Sequence, residues 1–142
     1  MQLIKKMDEM FFEANLPIRL KSYEILITSS TSGLVEFLPN TMSIDGLKKL
    51  LPDDWTLNTF YKNYFKENYE NARLNFIESL AGYCLVTYLL EIKDRHNGNI
   101  LIQSDGQIIH IDYGFVLGTS PGGIAFEKAP YKFTNVRLYS LI

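Results

Sequence analysis

Within the stretch "IKDRHNGNILIQSDGQIIHIDYG", Ile92 to Gly114, a few side chains have types and spacing suited to chemistry on a phosphate group. Asp94 and Asn99 stand five positions apart, and Asp112 follows in "DYG". Carboxylate and amide oxygens suit a hard cation such as Mg²⁺, which takes one or two carboxylates and completes its shell with substrate phosphates and water. Another group must orient or deprotonate a hydroxyl, and both His96 and Asp94 qualify. An Asp, an Asn five residues later and a downstream Asp-Phe-Gly are the working parts of a phosphoryl-transfer site. Here Tyr113 replaces the Phe. Any one of these residues alone reads as a solvated turn; the set argues for a site.

The elements that would position them are legible nearby. "NILIQSDGQIIHI" is an apolar run, a Ser-Asp-Gly turn and a second apolar run, so Ile100 to Ile102 and Gln107 to Ile111 should pair as a hairpin. Its open ends then lie together, which makes Asp94, His96, Asn97 and Asn99 neighbours of Asp112. His110 sits in an apolar strand and reads as a hydrogen-bonded structural histidine outside the site. Upstream, a long helix is expected from about Asn71 to Glu91, with Leu74, Ile77, Leu80, Ala81, Cys84, Leu85, Tyr88 and Leu89 at three- and four-residue steps. It is apolar nearly all round from Leu80, as a buried central helix would be.

The first half is read similarly. "MQLIKKMDEMFFEA" predicts an amphipathic helix with Leu3, Met7, Met10 and Phe11 on its apolar side. Tyr23 to Thr28 and Leu34 to Leu38 predict a hairpin ending at Pro39. Ser43 opens a short helix stopped by Pro52, and "DDWTLNTFYKNYFKEN" predicts another with Trp55, Phe60, Tyr64 and Phe65 as buried candidates.

Composition narrows the function classes. With 142 residues, 46% hydrophobic and 13% aromatic, the chain can build a core. A net charge of −2 argues against a nucleic-acid-coating surface. The single cysteine, Cys84, excludes an internal disulfide and a cysteine zinc cluster. The apolar run Leu80 to Leu90 falls well short of the roughly 20 residues a bilayer span needs.

The motifs "DRHNGN" and "HIDYG" resemble the catalytic core of the phosphatidylinositol 3- and 4-kinase superfamily, whose loops read Asp-Arg-His-x-x-Asn and Asp-Phe-Gly. "EIKDRHNGNI", with Lys93 where the 3-kinases carry Gly-x-Gly, is similar to the 4-kinases. "VEFLPNTMSI", "AGYCLVTYLL" and "SPGGIAFEKAPYKFT" narrow the likeness to the type III beta 4-kinases, from about Gln2 to Thr134.

The resemblance implies an α+β, protein-kinase-like fold, with residues 1–38 as the end of the N-lobe and the hinge and 39–142 as a truncated C-lobe carrying the catalytic and activation loops. It implies ATP and Mg²⁺, or Mn²⁺, as cofactors. Asn99 and Asp112 would ligate the metal, His96 or Asp94 would serve as base, and Arg95, grouped with them, would hold the loop. The backbone of Glu36 and Leu38 would bond adenine, in a pocket lined by Tyr23, Leu101 and Ile111. Lys128 and Lys132, the two lysines of the loop Phe115 to Thr134, would meet the headgroup of phosphatidylinositol in a membrane surface. The location implied is cytoplasmic, peripheral on Golgi-type membranes.

Departures matter too. No Gly-x-Gly-x-x-Gly or Gly-x-x-x-x-Gly-Lys occurs, and the phosphate loop, its lysine and the helices after the activation loop are expected to be missing. The 142 residues are therefore expected to turn over little on their own. Two rivals remain: a 3-kinase or related protein kinase, and a non-catalytic kinase-like module.

Overall fold

The computed structural model describes residues 1–119. They form an α+β arrangement in the order α1 (Gln2–Glu13), β1 (Ile25–Ile27), β2 (Gly33–Val35), β3 (Thr41–Ser43), α2 (Ile44–Leu50), α3 (Leu57–Phe65), α4 (Tyr69–Leu89), β4 (Ile100–Gln103) and β5 (Ile108–His110). β1 and β2 pair as an antiparallel hairpin with Ile25 opposite Val35. β3, β4 and β5 form a second antiparallel sheet in that order. The short segment Thr41–Ser43 carries no strand periodicity of its own; it pairs because β4 offers it an open edge, with Met42 opposite Ile102.

The core lies between α3, α4 and the second sheet, where Tyr61, Phe76, Tyr83 and Val86 are fully buried. α4 does not bury the face its large apolar residues suggest. Ala72, Phe76, Ser79, Tyr83 and Val86 point inward, while Leu74, Leu85, Tyr88 and Leu89 are exposed. A helix apolar nearly all round has no phase for periodicity to report. Small residues decided it: a Cβ on Gly82 would lie 2.6 Å from the Arg19 carbonyl oxygen, so the segment before β1 crosses α4 at backbone contact.

Two other helices turn by a similar margin. α1 buries Ile4, with Met7 and Phe11 half-buried, and exposes Leu3 and Met10. Its rotation is set by Asp8, whose Oδ1 accepts the Leu20 N–H at 2.8 Å. α3 starts at Leu57 behind the Thr56 cap, whose hydroxyl accepts the Thr59 N–H at 3.1 Å. Tyr61 is buried on the side that meets the Gly106 carbonyl, and Tyr64 is exposed.

Ser79 joins α4 to β5. Its Oγ donates to the Asn75 carbonyl at 2.7 Å and accepts the buried Ile108 N–H at 3.0 Å. The Ser79→Ala variant leaves that strand N–H without a partner, so a loss of about 2 kcal/mol is expected in urea unfolding. An unchanged midpoint would mean that the serine is not needed there.

Candidate active site

The β4–β5 hairpin closes through its turn. Gly106 adopts φ 89°, and the Asp105 carboxylate accepts the Gln107 N–H at 2.9 Å. Ile100 therefore stands opposite His110, and the loops at the open end meet, as expected. Three sets of backbone bonds join them: Ile111 N–H to the Asn99 carbonyl at 3.0 Å, Lys93 N–H to Phe115 at 3.0 Å, and Leu117 N–H to Leu90 at 2.9 Å. Asn99 is thus the acceptor of the first of these bonds, and Asp112 is the residue after its donor.

Arg95 ties the same loops from beneath. Its side chain is 2% exposed. The guanidinium donates to the carbonyls of Lys93 at 3.0 Å, Ile111 at 2.7 Å and Asp112, and stands 5.5 Å from the centre of the Tyr113 ring. Burial lowers its pKa, opposed by Tyr113, Asp112 and Asp94, and a guanidinium stays charged regardless. Arg95 thus faces the backbone of both loops, and we class it as a positioning residue.

Asp94 and Asp112 both take left-handed backbone, at φ 60° and 58°. Asp94 turns the chain sharply, so its carbonyl accepts from the His96 N–H at 3.2 Å and from the Asn99 side-chain nitrogen at 3.0 Å. Asn99 is buried; with Nδ2 committed, Oδ1 is the atom left to accept. Asp112 is exposed, and Arg95 grips its backbone. One neutral amide oxygen and one carboxylate fit Mg²⁺ or Mn²⁺ in a site that also receives phosphate oxygens. Among the described residues, no group of three His, Cys, Asp or Glu side chains converges to hold an ion. His96 is exposed, and its Nδ1 accepts the Gly98 N–H at 3.1 Å.

A cavity of about 750 Å³ adjoins Asp112, within the range of small-molecule sites. Tyr23, Glu36, Leu38, Leu101 and Ile111 all line it, together with Asp112. The hairpin sorts the backbone groups. Glu36 N–H is spent on the Glu24 carbonyl at 2.9 Å, and the Leu38 carbonyl accepts from the Thr41 hydroxyl at 2.8 Å. Among the described residues, the Glu36 carbonyl and the Leu38 N–H are left unengaged. Tyr23 is buried, which raises its pKa. Lys128 and Lys132 lie outside the described residues.

Sequence reasoning missed the packing beneath Asn99 and Asp112. His110 is buried but not hydrogen-bonded through Nδ1; it stacks on Tyr83 with ring centres 4.3 Å apart and planes 11° from parallel. Burial, with Arg95 adding to it, pushes the imidazole pKa down to about 3. Tyr113 lines the cavity, and burial of its hydroxyl, with the Tyr83 hydroxyl adding to it, raises its pKa. The available signal was polar aromatic residues, Tyr83 and His110, inside otherwise apolar elements.

Compared with known proteins, residues 47–141 match the family model described as phosphatidylinositol 3- and 4-kinase. The chain is 51% identical over 138 residues to a protein named phosphatidylinositol 4-kinase in Dictyostelium discoideum. It is 51% identical over 137 residues to phosphatidylinositol 4-kinase beta 2 of Arabidopsis thaliana, and 43% identical over 137 residues to phosphatidylinositol 4-kinase beta of Danio rerio. Each match covers 94% of this chain, which spans 12% of the length of the first two relatives and 16% of the third.

Proposed function

The chain belongs to the phosphatidylinositol 3- and 4-kinase family, and on that premise we propose that it supplies the nucleotide cleft and catalytic loops of an enzyme that transfers the γ-phosphoryl of ATP to the inositol 4-hydroxyl of phosphatidylinositol. The observation that carries this reading is the single cavity in which Tyr23, Glu36, Leu38, Leu101 and Ile111 meet Asp112. The Glu36 carbonyl accepts from the adenine amino group and the Leu38 N–H donates to the ring nitrogen beside it. The triphosphate then runs toward Asp112 and Asn99. Those two residues would hold Mg²⁺ or Mn²⁺, which when bound neutralises charge on the phosphates. Residues 1–38 serve as the hinge side and 39–142 as the lower lobe, with Lys128 and Lys132 toward the lipid headgroup. Because the acceptor is a lipid, the complete protein works at a membrane surface; no helix among the described residues is long and apolar enough to cross one.

The geometry favours Asp94 over His96 as the base. Nδ1 of His96 is occupied as an acceptor by Gly98 N–H, so in the neutral ring the proton sits on Nε2. A protonated Nε2 donates; it cannot take the hydroxyl proton. His96 then hydrogen-bonds the transferred phosphoryl oxygens, while the Asp94 carboxylate receives the proton as the inositol oxygen bonds to γ-phosphorus and the bond to the β,γ-bridging oxygen breaks.

The test uses the complete protein, vesicles containing phosphatidylinositol, Mg²⁺ and ATP, with product regiochemistry determined. Phosphatidylinositol 4-phosphate is expected; a 3-phosphate, or phosphorylation of a peptide in preference to lipid, overturns the assignment. Asp94→Asn should lower kcat on the order of 10³-fold. His96→Gln, which keeps a donor, should retain roughly tenfold more activity than His96→Ala. Equal loss in both His96 variants, with Asp94→Asn active, would return the base role to His96.

A further inference from the structure

Between the cleft wall and the metal pair lies one buried side chain that touches both supports, and it belongs to α4 rather than to either loop. Tyr83 is fully buried. Its hydroxyl donates to the Lys21 carbonyl at 3.1 Å and accepts the Lys21 N–H at 3.2 Å, gripping both backbone groups of a single residue. Lys21 lies two positions before Tyr23, which lines the cavity. The opposite face of the connection is the ring: Tyr83 stacks on His110. His110 pairs with Ile100, the residue after Asn99, and stands two positions before Asp112.

We propose that Tyr83 and His110 form a positioning pair that sets the nucleotide-cavity wall relative to the metal-holding residues; this rests on the reading of the site as a nucleotide and metal site. The physical argument is one of degrees of freedom. The segment carrying Tyr23 is crossed against α4 by the Gly82 contact with Arg19, and Arg19 adds an ion pair to Glu78 at 2.6 Å. Those contacts hold the segment's height above the helix, whereas the Tyr83 hydroxyl fixes its position along the chain. A near-parallel stack resists tilting of either ring, because both ring faces are already covered in a close-packed interior. A shift of Lys21 is thereby coupled through the Tyr83 ring to His110, and from there to Asn99 and Asp112.

The two halves of the pair predict separable kinetics in the complete protein. Tyr83→Phe keeps the stack and loses the grip on Lys21, so KM for ATP should rise about fivefold while kcat and the Mg²⁺ concentration for half-maximal rate stay within about twofold. His110→Ala removes the stack, so kcat should fall and the Mg²⁺ requirement should rise by on the order of tenfold, with less change in KM for ATP. His110→Phe, which restores a ring, should recover most of the Mg²⁺ response. Titration calorimetry with Mg·ATP reads nucleotide affinity directly, so the pair is tested even if the wild-type protein transfers phosphoryl to no lipid; that result would overturn the proposed function alone. If Tyr83→Phe leaves both KM and affinity for Mg·ATP unchanged, or if every variant lowers kcat in proportion to a lowered melting temperature with no split between KM and Mg²⁺ response, the pair is only a packing contact.

Discussion

The Asp112→Asn variant of the complete protein is expected to fold normally and to lose on the order of 10³-fold in kcat/KM for ATP. Asn is the cleanest replacement because Asp112 sits at φ 58°, in the left-handed region that Asn enters more readily than most residues. Its backbone carbonyl remains available to the Arg95 guanidinium, so the loop keeps its anchor. What disappears is one negative charge on the only carboxylate of the proposed metal pair, and a neutral amide beside Asn99 is a poor host for a divalent cation. Higher Mg²⁺ or Mn²⁺ should recover part of the rate. The measurement is a rate against metal concentration with circular dichroism as the folding control. Wild-type turnover with an unaltered metal dependence would sink the assignment of Asp112 as a ligand.

The second large effect is on stability and lies far from the chemistry. Gly106→Ala is expected to destabilise the protein by about 3 kcal/mol or more. Two costs coincide there. The residue holds φ 89°, strained for any side chain, and a new Cβ would lie 2.6 Å from the Ala72 carbonyl oxygen and 2.8 Å from its Cα. Those atoms are helix backbone and cannot swing aside. The turn cannot retreat either, because the Tyr61 hydroxyl donates to the Gly106 carbonyl at 2.8 Å from the buried side of α3. Gly114→Ala is the control: its Cβ would meet just the Asp112 Oδ1, at 3.4 Å, with no positive φ. Urea unfolding and protease resistance should separate the two variants clearly. If Gly106→Ala unfolds at the wild-type midpoint, the turn does not press on α4 as described.

Much of the site could be read from residue order because its parts are local. Asp94, Asn99 and Asp112 are placed by one hairpin, and a hairpin's geometry follows from a turn and two apolar runs. The likeness of "DRHNGN" and "HIDYG" to kinase loops adds identity to that geometry. The helices were less legible. α4 is apolar on nearly every side, so the choice between Leu74 and Phe76 as inward residues was made by where Gly82 and Ala72 let other backbone approach. α3 starts behind the Thr56 cap, and packing turns Leu57, Tyr61 and Phe65 inward rather than Tyr64. β3 could not be foreseen from Thr41–Ser43 because its pairing partner is some sixty residues away, Thr41 opposite Gln103.

Residue order is enough to place the groups proposed to do the chemistry: an Asp, a His and an Asn at fixed spacing before a hairpin, and an Asp after it. Covalent spacing and a local turn are enough for that. What each group is free to do depends on the fold. Gly98 claims one nitrogen of His96, Arg95 spends its donors on three carbonyls, the β1–β2 hairpin and Thr41 engage backbone groups of Glu36 and Leu38, and Tyr83 bonds Lys21 while stacking on His110. Each of these is a hydrogen-bond or packing assignment between groups brought together by the fold, and such assignments are settled by proximity in space rather than by position along the chain.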